Sequence, residues 1–228
     1  VMVEPIQGRG GSVVPGAGWL AGLAGLCKRY GALLCCDEIF TGLCRTGDWF
    51  AVDHDAVVPD LLCVGKALGG GFPVSACLGR PEVMAAWGES TGEALHTSTF
   101  LGHPVACAAA LATLKVLHDD SIHARAREAG DLLVARLRNG WPSLAQAGVT
   151  EIRGRGLLLG IVAAGRPQND ASDIVLKTVV GCLRRGVIAL PCGDDGSVLQ
   201  LTPPAICSDE QLRQIADTVV DAWNEAAS

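Results

Sequence analysis

Two short apolar runs, each ending on a charged side chain, constrain this chain more than anything else in it. Ala32-Leu33-Leu34-Cys35-Cys36 stops abruptly at Asp37-Glu38, and Leu61-Leu62-Cys63-Val64 leads through Gly65 to Lys66. Short apolar runs bounded by turn residues are how strands buried in a parallel sheet read. Between them lies the polar loop Thr41-Gly42-Leu43-Cys44-Arg45-Thr46-Gly47, and Gly69-Gly70-Gly71 follows the lysine. The carboxylate and the amine are therefore expected where strands leave the sheet, the edge at which open α/β sheets bind ligands.

Lysine is scarce here: of 18 Lys+Arg only Lys28, Lys66, Lys115 and Lys177 are lysines, and the other three fall in helical patterns. An ammonium that ends an apolar strand is costly unless something uses it. A desolvated amine is a nucleophile that can form a Schiff base with an aldehyde, and the glycines would let backbone approach a bulky ligand. A strand-end lysine that snorkels to water accounts for the local pattern equally well. Asp37 weighs against that second reading. A carboxylate at the end of a buried strand needs a partner, and a protonated pyridine nitrogen is one; lysine plus pyridinium-facing aspartate is the recurring arrangement of pyridoxal phosphate sites.

The strings Asp37-Glu38-Ile39-Phe40-Thr41-Gly42-Leu43-Cys44-Arg45-Thr46-Gly47, Pro59-Asp60-Leu61 and Gly65-Lys66-Ala67-Leu68-Gly69-Gly70-Gly71-Phe72-Pro73 resemble the signature of class III pyridoxal-phosphate aminotransferases. That family includes the 4-aminobutyrate, ornithine and acetylornithine enzymes. The interval of 29 positions from Asp37 to Lys66 matches as well. The resemblance implies a fold-type I α/β architecture. Residues 1–110 are expected to be the C-terminal part of a large, mostly parallel-sheet domain, and residues 111–228 a small α+β domain.

Composition agrees with a soluble α/β protein: 49% hydrophobic residues, 4% aromatic, and a net charge of −6. No basic patch or run is visible, so nucleic acid is not expected as a partner. No apolar stretch is long enough to predict a membrane span, and the first residues lack a signal-peptide layout. The ten cysteines lie in apolar strand-like and helix-like contexts without Cys-x-x-Cys, and the five histidines show no zinc spacing with them. They read as reduced, buried thiols in a reducing, cytoplasmic compartment, with no metal site.

In chain order, a strand at Val1–Val3, a helix from Trp19 to Tyr30 closed by Gly31, and the two apolar strands come first. A strand from Val74 to Leu78 and a short helix from Glu82 to Trp87 follow. Helices are expected over Pro104–Leu117, Ile122–Leu137, Ser172–Arg184 and Asp209–Trp223, the last capped by Ser208. Strands are expected at 151–161, Val187–Leu190 and Val198–Leu201.

By resemblance, Lys66 binds the cofactor aldehyde and later shuttles a proton, while Asp37 keeps the pyridine nitrogen protonated. His96-Thr97-Ser98-Thr99-Phe100 resembles the stretch whose threonine, here Thr99, hydrogen-bonds the cofactor phosphate of the neighbouring subunit, with Ser98 close by. Without the family context an ordinary Ser/Thr helix cap explains those hydroxyls better. Leu101 and His103 depart from the family's usual Gly and Asn. Arg9 falls where the ornithine and 4-aminobutyrate enzymes carry a gating glutamate, and Gln200 where they carry the arginine that grips a substrate carboxylate. Arg9 then either offers the substrate a cation or is a surface loop residue. Phe40, where many relatives carry Gln or Val, implies an altered contact to the ring.

The activity implied is amino transfer from an ω-amino acid, diamino acid or amine to a 2-oxo acid, ping-pong through pyridoxamine phosphate, in a homodimer with shared active sites. An aminomutase or decarboxylating relative, and an inert remnant or dimerising subunit, are the alternatives. The match covers only the C-terminal portion of the family pattern, so the chain is expected to be a fragment that alone binds cofactor weakly or not at all.

Overall fold

The computed structural model describes residues 1–89, 92, 98–165 and 170–228. Its first sheet has the order β1-β2-β3-β4, built from β1 (Met2–Val3), β2 (Cys35–Asp37), β3 (Leu61–Val64) and β4 (Ala76–Gly79). The first three strands are parallel and β4 is antiparallel to β3. Side chains alternate across a strand, so Cys36 and Leu62 face one side of the sheet while Asp37 and Cys63 face the other. Helix α1 (Trp19–Tyr30) covers the first side: its Leu20 and Cys27 bury against Leu34, Cys36, Val52 and Val57. It ends at Gly31 in the left-handed region, as the glycine predicts.

After the short α2 (Pro81–Ala85), helix α3 (Pro104–Asp119) packs Ala110, Leu114 and Leu117 against Leu43, Val64 and Leu68. The chain continues through α4 (Ile122–Asn139), α5 (Trp141–Gln146), β5 (Val149–Arg155), β6 (Leu158–Ala163), α6 (Ala171–Arg184), β7 (Leu190–Cys192), β8 (Val198–Leu201) and α7 (Asp209–Ala227). These strands form a second, wholly antiparallel sheet of order β5-β6-β8-β7. Leu159 and Ile161 of β6 and Leu199 and Leu201 of β8 turn one face to the helices, meeting Leu133, Ile174, Val219 and Trp223 in the main core. The alternate residues Leu158, Gly160 and Gln200 face the first part of the chain. A methyl group added at Gly160 would lie 3.1 Å from the Gly11 carbonyl oxygen. Ser208 caps α7 with Gln211 reciprocating.

Several boundaries differ from the sequence reading, three of them for a clear local reason. The single strand expected at 151–161 is a hairpin, because Gly156, at φ +54°, turns the chain back between Arg155 and Leu158. Strand β2 starts late, since the Leu34 N–H is taken by Asp60 Oδ2 at 2.8 Å. Strand β7 also starts late: the Val187 N–H closes the end of α6 on the Cys182 carbonyl. Helix α5 was not anticipated.

Candidate active site

Parallel pairing sets Asp37 directly opposite Cys63, and the Glu38 N–H donates to the Cys63 carbonyl at 2.9 Å. Lys66 comes two residues after β3 and opens a 3-10 turn over Lys66–Gly69. Carboxylate and amine therefore leave the same edge of the same sheet from adjacent strands. Lys66 sits at φ +43°. A non-glycine residue in the left-handed region costs on the order of 1–3 kcal/mol and persists only where its surroundings enforce it.

The lysine is exposed, as expected of a strand-end lysine that reaches water and not of a desolvated amine. Its backbone turns out of the sheet there, and the side chain leaves with it. Nζ lies 4.6 Å from the centroid of the Phe40 ring and has no hydrogen-bond or ion-pair partner among the described residues. Half-buried Asp37 accepts the Ile39 N–H at Oδ1, 2.9 Å away, while Oδ2 has no partner among the described residues. One free acceptor and one free amine on a common edge fit a pyridine N–H and an aldehyde.

Phe40 does more than face the lysine. A methyl at Gly8 would lie 2.2 Å from its ring, so only glycine lets the loop after β1 lie on that ring. The same loop is held from the second sheet. Gln200, 4% exposed, donates through Nε2 to the Gly8 carbonyl at 2.9 Å and to Ser12 Oγ at 3.0 Å. Arg153 Nε donates to the Gly11 carbonyl at 2.9 Å, and Gly193 N–H to the Arg9 carbonyl at 2.9 Å. Arg9 itself is exposed, with Nη1 3.3 Å from the Pro191 carbonyl oxygen. The structure thus brings Phe40 and Lys66 together directly, and links Arg9 and Gln200 to them through the Gly8 loop.

Ser98 and Thr99 are exposed in a turn closed by the Leu101 N–H on the Ser98 carbonyl. The N-cap of α3 is His103, with no side-chain cap, so neither hydroxyl caps that helix. His96 and Thr97 of the same motif lie outside the described residues.

Two charged residues of the motif do structural work that sequence reasoning missed. Glu38 is 1% exposed, accepts the Val52 N–H at 2.8 Å and takes a hydrogen bond from the Thr41 hydroxyl. Burial pushes its carboxyl above the usual range, against the pull of those bonds. Arg45 donates through Nη1 to the Leu157 and Pro203 carbonyls at 3.2 and 2.8 Å, while the Leu157 N–H returns to the Arg45 carbonyl at 3.0 Å. Burial lowers the pKa of that guanidinium. The motif's arginine therefore clamps the first sheet's loop to the hairpin of the second. No group of His, Cys, Asp and Glu able to hold a metal occurs among the described residues, and no described helix is long and apolar enough to cross a membrane.

The family model described as Aminotransferase class-III matches residues 1–223. A 4-aminobutyrate aminotransferase of Mycobacterium leprae is 38% identical over 95% of this chain and 48% of its own length. The mitochondrial ornithine aminotransferase of Rattus norvegicus is 40% identical over 96% of this chain and 47% of its own. A solved ornithine aminotransferase from Toxoplasma gondii, with pyridoxal phosphate partly occupying its active site, superposes with a TM-score of 0.85 at 37% identity, over 97% of this chain and 50% of that one. The chain thus spans about half the length of the relatives it matches.

Proposed function

The chain belongs to the class III aminotransferase family, and from that premise we propose that it carries the lysine and the ring-facing carboxylate of a pyridoxal-phosphate-dependent amino transfer. The donor is an ω-amino acid, diamino acid or amine, and the acceptor a 2-oxo acid. The observation that carries this is the strained Lys66 leaving the sheet edge beside an aspartate with one free oxygen. When bound, the cofactor supplies an aldehyde and an electron-withdrawing ring. Lys66 Nζ would hold that aldehyde and serve as the amine that moves a proton, and Asp37 Oδ2 would accept the proton-bearing ring nitrogen. Phe40 supports the amine from below and fixes the Gly8 loop.

The same reading divides the chain at residues 1–110 and 111–228, as the end of a large domain and a small one, within a longer cytoplasmic protein. Thr99, with Ser98, reaches the cofactor phosphate of a second subunit in a homodimer. Support comes from exposed apolar neighbours, Phe100 at 75% and Leu101 at 63% exposure. Arg9 offers its guanidinium to a substrate carboxylate, and Gln200 positions it through the Gly8 and Ser12 contacts.

Borohydride reduction of the chain in excess pyridoxal phosphate, followed by peptide mass analysis, tests the assignment as a competition among four lysines. Lys66 is expected to take most of the label, at low total occupancy. Label spread evenly over Lys28, Lys115 and Lys177 would refute it.

A further inference from the structure

Away from Lys66, a cavity of about 480 Å3 opens where the two parts of the chain meet. Three arginines and a histidine line it: Arg127 and Arg138 from α4, Arg155 from β5, and His54 from the 3-10 turn after Asp48. Three guanidinium groups thus converge on one cavity in a chain of net charge −6. Asp48 is already shared, accepting from Arg127 and lying 2.8 Å from His54 Nδ1. The carboxylate within the lining is Asp131. Arg138 and Arg155 have no ion-pair partner among the described residues.

The walls are fixed by close backbone contact. A methyl at Gly130 would lie 2.2 Å from the Gly156 carbonyl oxygen, and one at Gly156 2.5 Å from the Thr46 carbonyl carbon. Helix α4, the β5–β6 turn and the Thr46 loop are thus stacked with no room for side chains, which holds the arginines around a preset concavity. His54 Nε2 lies 3.2 Å from Thr46 Oγ1. Burial lowers the His54 pKa, Arg155 and Arg127 push it the same way, and Asp48 opposes them.

We propose that this cavity is an anion-binding site, taking a dianionic group the size of a phosphate or a short dicarboxylate and tying α4 and β5 to the Thr46–His54 segment. Unpaired guanidinium forks suit such an oxyanion, and a concave wall of like charge strengthens their field. The site is separate from the cofactor reading and stands without it.

The test is thermal unfolding of the cofactor-free chain at constant ionic strength, titrated with inorganic phosphate in one arm and succinate in the other. A saturable rise in Tm of roughly 2–4 °C is expected, retained by Lys66→Ala and lost in Arg155→Gln. The arm that saturates at lower concentration identifies the phosphate or the carboxylate source. No saturable rise in either arm, or an equal rise in Arg155→Gln, overturns the proposal. Should that variant fail to fold, the His54 NMR titration in the unaltered chain decides: its pKa rises when the anion offsets Arg155 and Arg127, and an unchanged value sinks the site.

Discussion

The two sheets solve the burial problem differently. The second has one large core in which four helices and three strands meet, with Trp223 fully buried and its Nε1 donating to the Ala147 carbonyl at 3.2 Å. The first is stabilised by small separate clusters, and the face carrying Asp37 and Cys63 leaves Met2 62% and Cys77 also exposed. The groups offered for chemistry sit on the weakly packed sheet, while the strongly packed one holds their loops in place. Local stability follows buried apolar contact, so the two parts should protect their amides unequally.

The largest effect sought is in the strong core. Trp223→Ala should cost roughly 3–5 kcal/mol, because so large a side chain leaves a cavity that the sheet and helices cannot close. Leu20→Ala, in the small cluster under α1, should cost nearer about 2 kcal/mol, since that site can collapse. Urea unfolding followed by circular dichroism measures both. Equal costs would erase the contrast between the sheets.

The next effect addresses how the parts are joined. Gly156 packs its Cα against Thr46 and Gly47 at φ +54°. Gly156→Ala should destabilise by roughly 1–3 kcal/mol through overpacking and strain, and should split one unfolding transition into two. A single cooperative transition of lower midpoint would show that the remaining contacts, those of Arg45 and Gln200 among them, suffice to join the parts.

A smaller effect concerns Glu38, which lies wholly within the weaker part. Its folded pKa is raised by burial, so the ionised form is the disfavoured one. Stability is therefore greatest below the unfolded pKa and declines as pH rises through the raised value, by at most about 1.4 kcal/mol per pH unit. Glu38→Gln keeps an acceptor for the Val52 N–H and cannot ionise. Its unfolding midpoint should change less than the wild type's as pH rises from the ordinary carboxylate range through the raised value, and parallel pH profiles would show that Glu38 is not the group responsible.

The same division explains what could be read in advance. Strands β3 and β8, helix α1 with its Gly31 cap, and the Asp37–Lys66 edge are written in contiguous residues, and the family motif lies in them. Arg45 could be quoted from that motif, but its acceptors lie 112 and 158 positions away, and no local pattern encodes them. Gln200 marked a departure in sequence; its role in holding the Gly8 loop needed partners 192 and 188 positions distant. The hairpin at Gly156 was hidden because the resemblance treats residues 151–161 as one strand running across both glycines. Lys66 could be read in sequence as a candidate nucleophile or as a lysine reaching water, whereas its backbone conformation was not legible, since it does not follow from neighbouring residue types.

That conformation allows the finest test of the contrast between chemistry and stability. At φ +43° Lys66 pays a strain that glycine in the same place does not. Its side chain makes no hydrogen bond or ion pair among the described residues, leaving only the Phe40 ring contact to lose. Lys66→Gly should therefore stabilise the fold, by about 1 kcal/mol after the extra chain entropy of glycine is subtracted, while abolishing borohydride-trapped cofactor at that position. A variant that is instead destabilised would mean that the lysine is held by packing rather than against it, and the site would lose its sign of functional strain.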